Sequence, residues 1–231
     1  VTGVQTCALP IYSAAKWGGY GEGMPDYSAE RTLIDVRDQL HILGIEKFDV
    51  LFLHDPPEVE PALASGGSLE GLEKARDLNL VDFIGFGMQP HLSHLAAIES
   101  ERIDVLLCFS DYNLLRQSAA EDILPAAAAR DLGVLNGWSI MRGWLTGVPV
   151  ERFVPRDKWA EDHQRSEAMR LWCGEHNVAL LDLALQFCLR EERIHGHPIG
   201  SLNIAQLERN VQAACASISD DVLTHFQSAA I

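Results

Sequence analysis

The sequence predicts a parallel α/β fold, a sheet whose strands are joined by crossover helices, and three observations carry that prediction. Short apolar runs alternate with amphipathic helical stretches from Tyr12 onward, with no Pro/Ser-rich linker or block of like charge between them. Each strand-helix unit takes about thirty residues, the length of a βαβ repeat. The segment 40–55, LHILGIEKFDVLFLHD, runs the end of a helix into a buried strand that stops at His54. A titratable imidazole is thereby placed at the C-terminal mouth of a strand, where parallel α/β enzymes build their active sites.

Taken in order, residues 12–16 read as a short strand, followed by the glycine-rich turn Gly18-Gly19-Tyr20-Gly21-Glu22-Gly23. No helix opens directly behind that turn, so it is not a dinucleotide-binding fingerprint. Ser28 is placed to cap a helix whose Leu33, Val36, Leu40 and Leu43 share one face. Gly44 ends it, and 48–53 is the strand that presents His54. A helix around 69–78, a strand at 81–86, a helix at 91–99 and a strand at 103–109 follow. Ser118 and Glu121 have the spacing of a capping box before Ile123 and Leu124. Residues 133–137 read as the next strand, and 159–175 and 179–190 as two successive helices. The last strand is expected at 194–199, after which Gly200-Ser201 leads into a helix with Ile204, Leu207 and Val211 on one face. From Asp220 the chain reads as a short amphipathic helix.

Residues 1–11, VTGVQTCALPI, follow neither period and resemble the translation of a sequencing-library adapter. They are expected to be a non-native segment, which leaves 12–231 as the barrel domain of a chain whose natural start lay upstream.

With 231 residues, 47% of them hydrophobic, the chain has ample material for a packed core. Lys+Arg 18 against Asp+Glu 33 gives a net charge of -15, which repels a phosphate backbone and argues against nucleic acid as a partner. No apolar stretch reaches the roughly 18 residues that span a bilayer, and no basic leader precedes an apolar run, so a cytoplasmic protein without membrane association is expected. Cys7, Cys108, Cys173, Cys188 and Cys215 form no C-x-x-C pair and read as reduced, buried thiols. His91 with His94, and His195 with His197, lack a carboxylate or thiolate to complete a metal set. They read as a solvated helix face and a loop, and no metal is expected.

The pattern Leu-x2-Leu-Gly-x4-Asp-x-Leu-x2-His-Asp ending at Asp55 resembles the fourth strand of the aldo-keto reductases, NAD(P)-dependent oxidoreductases built on a (β/α)8 TIM barrel. Ordered motifs continue the resemblance over nearly the whole chain after residue 12. It implies an incomplete barrel that retains about six of eight βα units, strands three to eight. Hydride transfer between a carbinol carbon and nicotinamide needs an acid/base at the oxygen, a group that tunes its pKa, and a donor that orients the oxygen. The resemblance assigns the orienting role to His54. Lys16, in Ala14-Ala15-Lys16-Trp17, matches the family's lysine, whose ammonium lowers the pKa of a catalytic tyrosine. Each residue alone reads more readily as a solvated side chain, and their joint placement in the matching strands reverses that. The family's aspartate and tyrosine lie upstream of this sequence, and Tyr12, Tyr20, Tyr27 and Tyr112 match neither, so the fragment is expected to be inactive by itself.

A second constellation, Gly200-Ser201-x5-Leu207-x2-Asn210, opens the final long helix, and a helix N-terminus with an adjacent glycine suits a phosphate. The resemblance gives Gly200, Ser201, Gln206 and Asn210 the adenosine half of the cofactor. No Lys or Arg lies between Ile194 and Glu208, which favours NAD, with NADP left possible by Arg209. Two departures stand out. Gly87 and Met88 occupy the place of a polar pair that holds the carboxamide. In 133–147, GVLNGWSIMRGWLTG, the aromatic that stacks on nicotinamide is replaced by Gly137, with Trp138 beside it. Trp138, Ser139 and Ile140 are expected along the cofactor, and Trp138 reads equally well as a packing residue.

Within the family, Tyr20-Gly21-Glu22-Gly23, Tyr27-Ser28-Ala29-Glu30-Arg31 and Phe83-Ile84-Gly85 are similar to the L-galactose and D-threo-aldose (L-fucose-type) 1-dehydrogenases. That branch implies oxidation of a free sugar at C1 to its lactone with NAD. The alternative is the potassium-channel β-subunit branch, in which the same barrel binds nucleotide and a membrane-channel partner. No large partner-binding surface is marked in the sequence to favour it.

Overall fold

In a computed structural model that describes residues 11–12, 26–56, 58–149 and 159–229, five strands lie side by side in chain order. They are β1 (Ile11–Tyr12), β2 (Phe48–His54), β3 (Val81–Gly87), β4 (Val105–Phe109) and β5 (Gly133–Gly137). β1 pairs with β2, β2 with β3 and β3 with β4, all parallel. Between them run α1 (Ala29–Leu43), α2 (Val59–Leu63), α3 (Ser68–Asp77), α4 (His91–Glu99) and α5 (Ile123–Ala129). After β5 come α6 (Ala160–Glu175), α7 (Leu180–Leu189), α8 (Ile204–Ala214) and α9 (Asp220–Ser228). The chain divides into two compact units, residues 1–108 with 122–134 and residues 109–121 with 135–231.

In the first unit, the last four residues of β2 and of β3 are all buried, as expected of parallel strands covered on both faces. Phe52, Leu51, Leu53, Ile84, Phe86 and Leu106 form the heart of this core. The helix α1 begins where Ser28 Oγ accepts from the Arg31 amide at 3.2 Å and ends at Gly44, whose φ of 66° is left-handed. Its buried face differs from the expected one. Ala29, Thr32, Val36 and Leu40 are buried, whereas Leu43 is 49% exposed. The reason is the close approach of α3, where a Cβ on Gly71 would stand 2.6 Å from Ala29 O and 2.7 Å from Thr32 Cβ. Only small residues fit that crossing.

The helix α4 corrects the expectation of a solvated histidine face. His94 is fully buried, its Nε2–H donates to Met88 O, and its ring meets Phe86 edge-on with centroids 5.7 Å apart. Burial pushes its pKa down to about 4. His91 Nδ1 lies 2.8 Å from the carboxylate of Asp122. Asp122, rather than Ser118, caps α5 by accepting from the Ile123 amide at 2.6 Å, because Ser118–Ala120 forms a separate 3-10 turn.

The second unit packs Trp144 and Leu145, Met169 and Trp172 of α6, Leu183 of α7 and Phe226 of α9 into one core. The strand expected at 194–199 is reduced to a single parallel bridge, Leu135 with Gly196, in which the Asn136 amide donates to Gly196 O at 2.9 Å. Gly196 weakens a strand here and Pro198 has no amide to continue one. Ile204, Leu207 and Val211 do share a face of α8, but they are 74%, 53% and 56% exposed, and Ala213 is the buried residue of that helix. Cys173 and Cys188 are buried as expected, with thiols pushed up to about 11 and about 12, whereas Cys215 is exposed. No helix among the described residues is long and apolar enough to cross a membrane.

Two predictions follow from the first unit. A Cβ on Gly85 would lie 2.4 Å from the Phe52 ring, so Gly85→Ala should destabilise the protein by about 1–3 kcal/mol through overpacking. An unchanged urea midpoint would show that Phe52 can move. For His94, the folded pKa of about 4 lies below the usual 6.5 of a histidine, so its neutral form contributes stability that is present above pH 6.5 and lost as pH falls toward 4. Unfolding at pH 7 and pH 4.5 should differ by about 2–3 kcal/mol more in the wild type than in His94→Gln, which keeps a donor for Met88 O without titrating. Equal pH dependence in the two proteins would refute the assignment.

Candidate active site

The first unit presents His54 at the C-terminal end of β2, opposite Gly87 of β3. The Asp55 amide donates to Gly87 O at 2.8 Å, and Asp55 then adopts a φ of 48°, turning the chain away from the sheet. His54 is 8% exposed, and its Nδ1 lies 3.6 Å from Asp55 Oδ2. A Cβ on Gly87 would come within 3.3 Å of His54 Cδ2 and 3.1 Å of Leu107 Cβ. The absence of a side chain at Gly87 therefore gives the imidazole its place. Met88 follows directly, with its carbonyl held by His94. An imidazole fixed in this way can donate or accept a hydrogen bond at a substrate oxygen. Lys16 lies outside the described residues, as does the glycine-rich turn at 18–23.

In the second unit, the exit of β5 brings together residues that the sequence separates. Asn136 is fully buried, and its Nδ2 donates to Tyr112 O at 2.7 Å. Ser139, also fully buried, has its Oγ 3.0 Å from His197 Nδ1, and burial lowers the His197 pKa. The sequence reading left Asn136 unnoticed and set His197 aside as a loop residue. The available signal was an amide within an otherwise apolar strand. Trp138 has a φ of 63° and packs edge-on against Phe109 at 5.5 Å, with Trp159 at 6.3 Å and Arg142 over its ring at 5.4 Å. Tyr112 stacks on Phe187 with centroids 5.4 Å apart, and burial raises its pKa to about 12, which keeps it protonated near neutral pH.

The segment from Gly200 to Asn210 is assembled around the start of α8. Asn203 caps the helix by accepting from the Gln206 amide at 2.9 Å, and Gln206 Oε1 accepts from the Leu202 amide at 2.8 Å. The second bond reaches the residue before the cap, so the pair is a variant of the capping box shifted by one residue. Asn210 Nδ2 donates to Ser201 Oγ at 3.0 Å. Gln206 is thus occupied as a cap, a role the sequence reading did not give it. The amides of Ile204 and Ala205 stay outside the helix's own hydrogen-bond ladder, and the space where a Cβ on Gly200 would sit is open. Ile140 and Ile199 both pack against Leu181, Leu185 and Ala213. That shared core holds Ile140 and Ile199, the residue before Gly200, against the same three side chains. Arg209 is paired with Asp182 of α7.

Comparison with known proteins gives this geometry a context. The chain is 26% identical over 200 residues to a D-threo-aldose 1-dehydrogenase from Pseudomonas sp, covering 84% of this chain and 60% of that protein. It is 27% identical over 214 residues to a pyridoxal 4-dehydrogenase from Microbacterium luteolum, covering 88% and 63%. The chain therefore spans less than two thirds of the length of either relative. Two solved structures share the fold. An aldo-keto reductase from Bacillus halodurans, in its holo form, superposes with a TM-score of 0.68 at 20% identity over 87% of this chain and 67% of its own. A glycerol dehydrogenase from Gluconobacter oxydans gives 0.71 at 18% identity over 88% and 64%. The model of the aldo/keto reductase family matches residues 11–231, and the chain belongs to that family.

Proposed function

We propose that the whole protein oxidises a free aldose at C1 to its lactone, using NAD. The observation that carries this reading is the buried His54 at the mouth of β2, seated against Gly87. His54 would hydrogen-bond the C1 oxygen and hold it in place. Lys16 would lower the pKa of an upstream tyrosine that takes the hydroxyl proton. NAD would supply the hydride acceptor. The aldose preference is supported by the likeness to a D-threo-aldose 1-dehydrogenase. In the protein extended to the length of its relatives, NADH formation at 340 nm with a panel of aldoses should be readily measured. His54→Ala should lower turnover by about 100-fold or more with cofactor affinity little changed. Near-normal turnover in that variant would remove His54 from the chemistry.

The residues at the start of α8 suit a nucleotide, because Gly200 leaves open space and the first-turn amides are available to a phosphate. Gly200, Ser201 and Asn210 would line the adenosine half, with Gln206 holding the helix start. Trp138, Ser139 and Ile140 would support the nicotinamide side. NAD is favoured over NADP because Arg209 is engaged by Asp182, which leaves a 2'-phosphate without that cation. Asp182→Asn should release Arg209 and raise affinity for NADP relative to NAD several-fold, measured by calorimetry. A wild type that already binds NADP more tightly would overturn the preference.

A further inference from the structure

The second unit contains a cavity of about 340 Å³ lined by Leu114 and Gln117 from the segment after β4, Arg165 and Met169 of α6, Phe187 of α7 and Phe226 of α9. We propose that this cavity is a binding site for a small monocarboxylate with an apolar body, held by the guanidinium of Arg165. The proposal does not depend on the sugar-oxidising reading.

Its first support is the state of the arginine. The chain carries 33 acidic against 18 basic residues, and several arginines of this unit are held by carboxylates, while Arg142 lies over the Trp138 ring. Arg116 pairs with Asp162, Arg170 with Glu167, Arg190 with Asp220 and Arg209 with Asp182. Arg165 makes no ion pair among the described residues, and Asp162, one turn before it on α6, is taken by Arg116. Its Nη1 donates to Leu115 O at 2.8 Å, which fixes the plane of the group. The Nε–Nη2 edge has no partner among the described residues, and two parallel N–H groups on that edge match the two oxygens of a carboxylate.

The second support is the shape and chemistry of the walls. Leu114, Met169, Phe187, Phe226 and Ala229 give the cavity apolar side chains, Gln227 adds a polar one, and the Gln117 Nε2 is already committed to Asn113 O. A volume near 340 Å³ falls within the range of small-molecule sites, which combine apolar walls with a few fixed polar groups. A net charge of -15 penalises a dianion more than a monoanion. The favoured occupant therefore joins one negative charge to an aromatic or aliphatic body.

The test is calorimetric titration of the chain with 4-phenylbutyrate and with its uncharged counterpart 4-phenylbutan-1-ol, at low ionic strength. The acid should bind saturably and at least tenfold more tightly than the alcohol. Arg165→Gln should abolish that tenfold difference while leaving the alcohol unchanged. Should Arg165→Gln fail to fold, as shown by its thermal transition, Arg165→Lys carries the test. It keeps the charge but loses the two-pronged geometry, and should weaken the acid several-fold. Absence of saturable binding, equal binding of acid and alcohol, or undiminished acid binding in the substituted protein would each overturn the proposal.

Discussion

The register of β2 against β3 is the constraint on which the His54 end of the sheet depends. Phe52 stands opposite Gly85, and His54 opposite Gly87. Each ring has a glycine for its neighbour, and the two glycines act differently. At Gly85 a Cβ would overlap the Phe52 ring at 2.4 Å, whereas at Gly87 it would press on His54 Cδ2 at 3.3 Å. Gly85 admits the large core ring and so disfavours slippage, because a shift by one residue would set Phe52 against Ile84 or Phe86 and invert every face. Gly87 then leaves the imidazole a bare backbone wall. The position of His54 is therefore a consequence of core packing two residues earlier in the strand.

Much of this was legible in the sequence because it rests on local signals. Ser28 and Gly44 bound α1 through capping chemistry that acts within a few residues, and His91–Glu99 appears as read. What was not legible depends on partners distant in the chain. Leu43 satisfies the helical period as well as Leu40, yet the small face at Ala29 and Thr32 is set by Gly71 on another helix. His94 lies three residues from His91, and spacing alone cannot show that one ring is buried against Phe86 while the other meets Asp122. The residues 194–199 carry a strand-like apolar pattern, but one bridge is all the pairing they make among the described residues. At the candidate site, His54 was visible from its strand end. Asn136 and His197 were not, because their association through Ser139 spans 61 residues.

Charge organises the second unit as burial organises the first. An excess of carboxylates leaves few cations without a partner, so the placement of each arginine is informative. Asp182 holds Arg209 in the middle of α8 and so occupies a cation that an anionic ligand could otherwise recruit. The amides at the start of α8 are polarised by the helix but unaided by a side-chain charge, which is the ground on which the proposed function prefers a dinucleotide without a 2'-phosphate. Gln206, tied to the Leu202 amide, contributes to this as a structural cap that keeps the helix start open.

Under the proposed function, the departure at Gly87 and Met88 bears on how a carboxamide would be held. Neither side chain offers a strong hydrogen bond, so the backbone is the remaining source. Both carbonyls are already engaged, Gly87 O by the Asp55 amide and Met88 O by His94 Nε2. Each oxygen keeps a second lone pair, but its direction is constrained by the bond already made. The loop after β3 is thus better built to fix His54 and its surroundings than to grip a cofactor. Within the second unit, Ser139 and Asn136 form a buried polar network at the exit of β5, and Ile140 packs on Leu181, Leu185 and Ala213, so the stretch that the proposed reading gives to the nicotinamide is held by core packing rather than by a mobile loop.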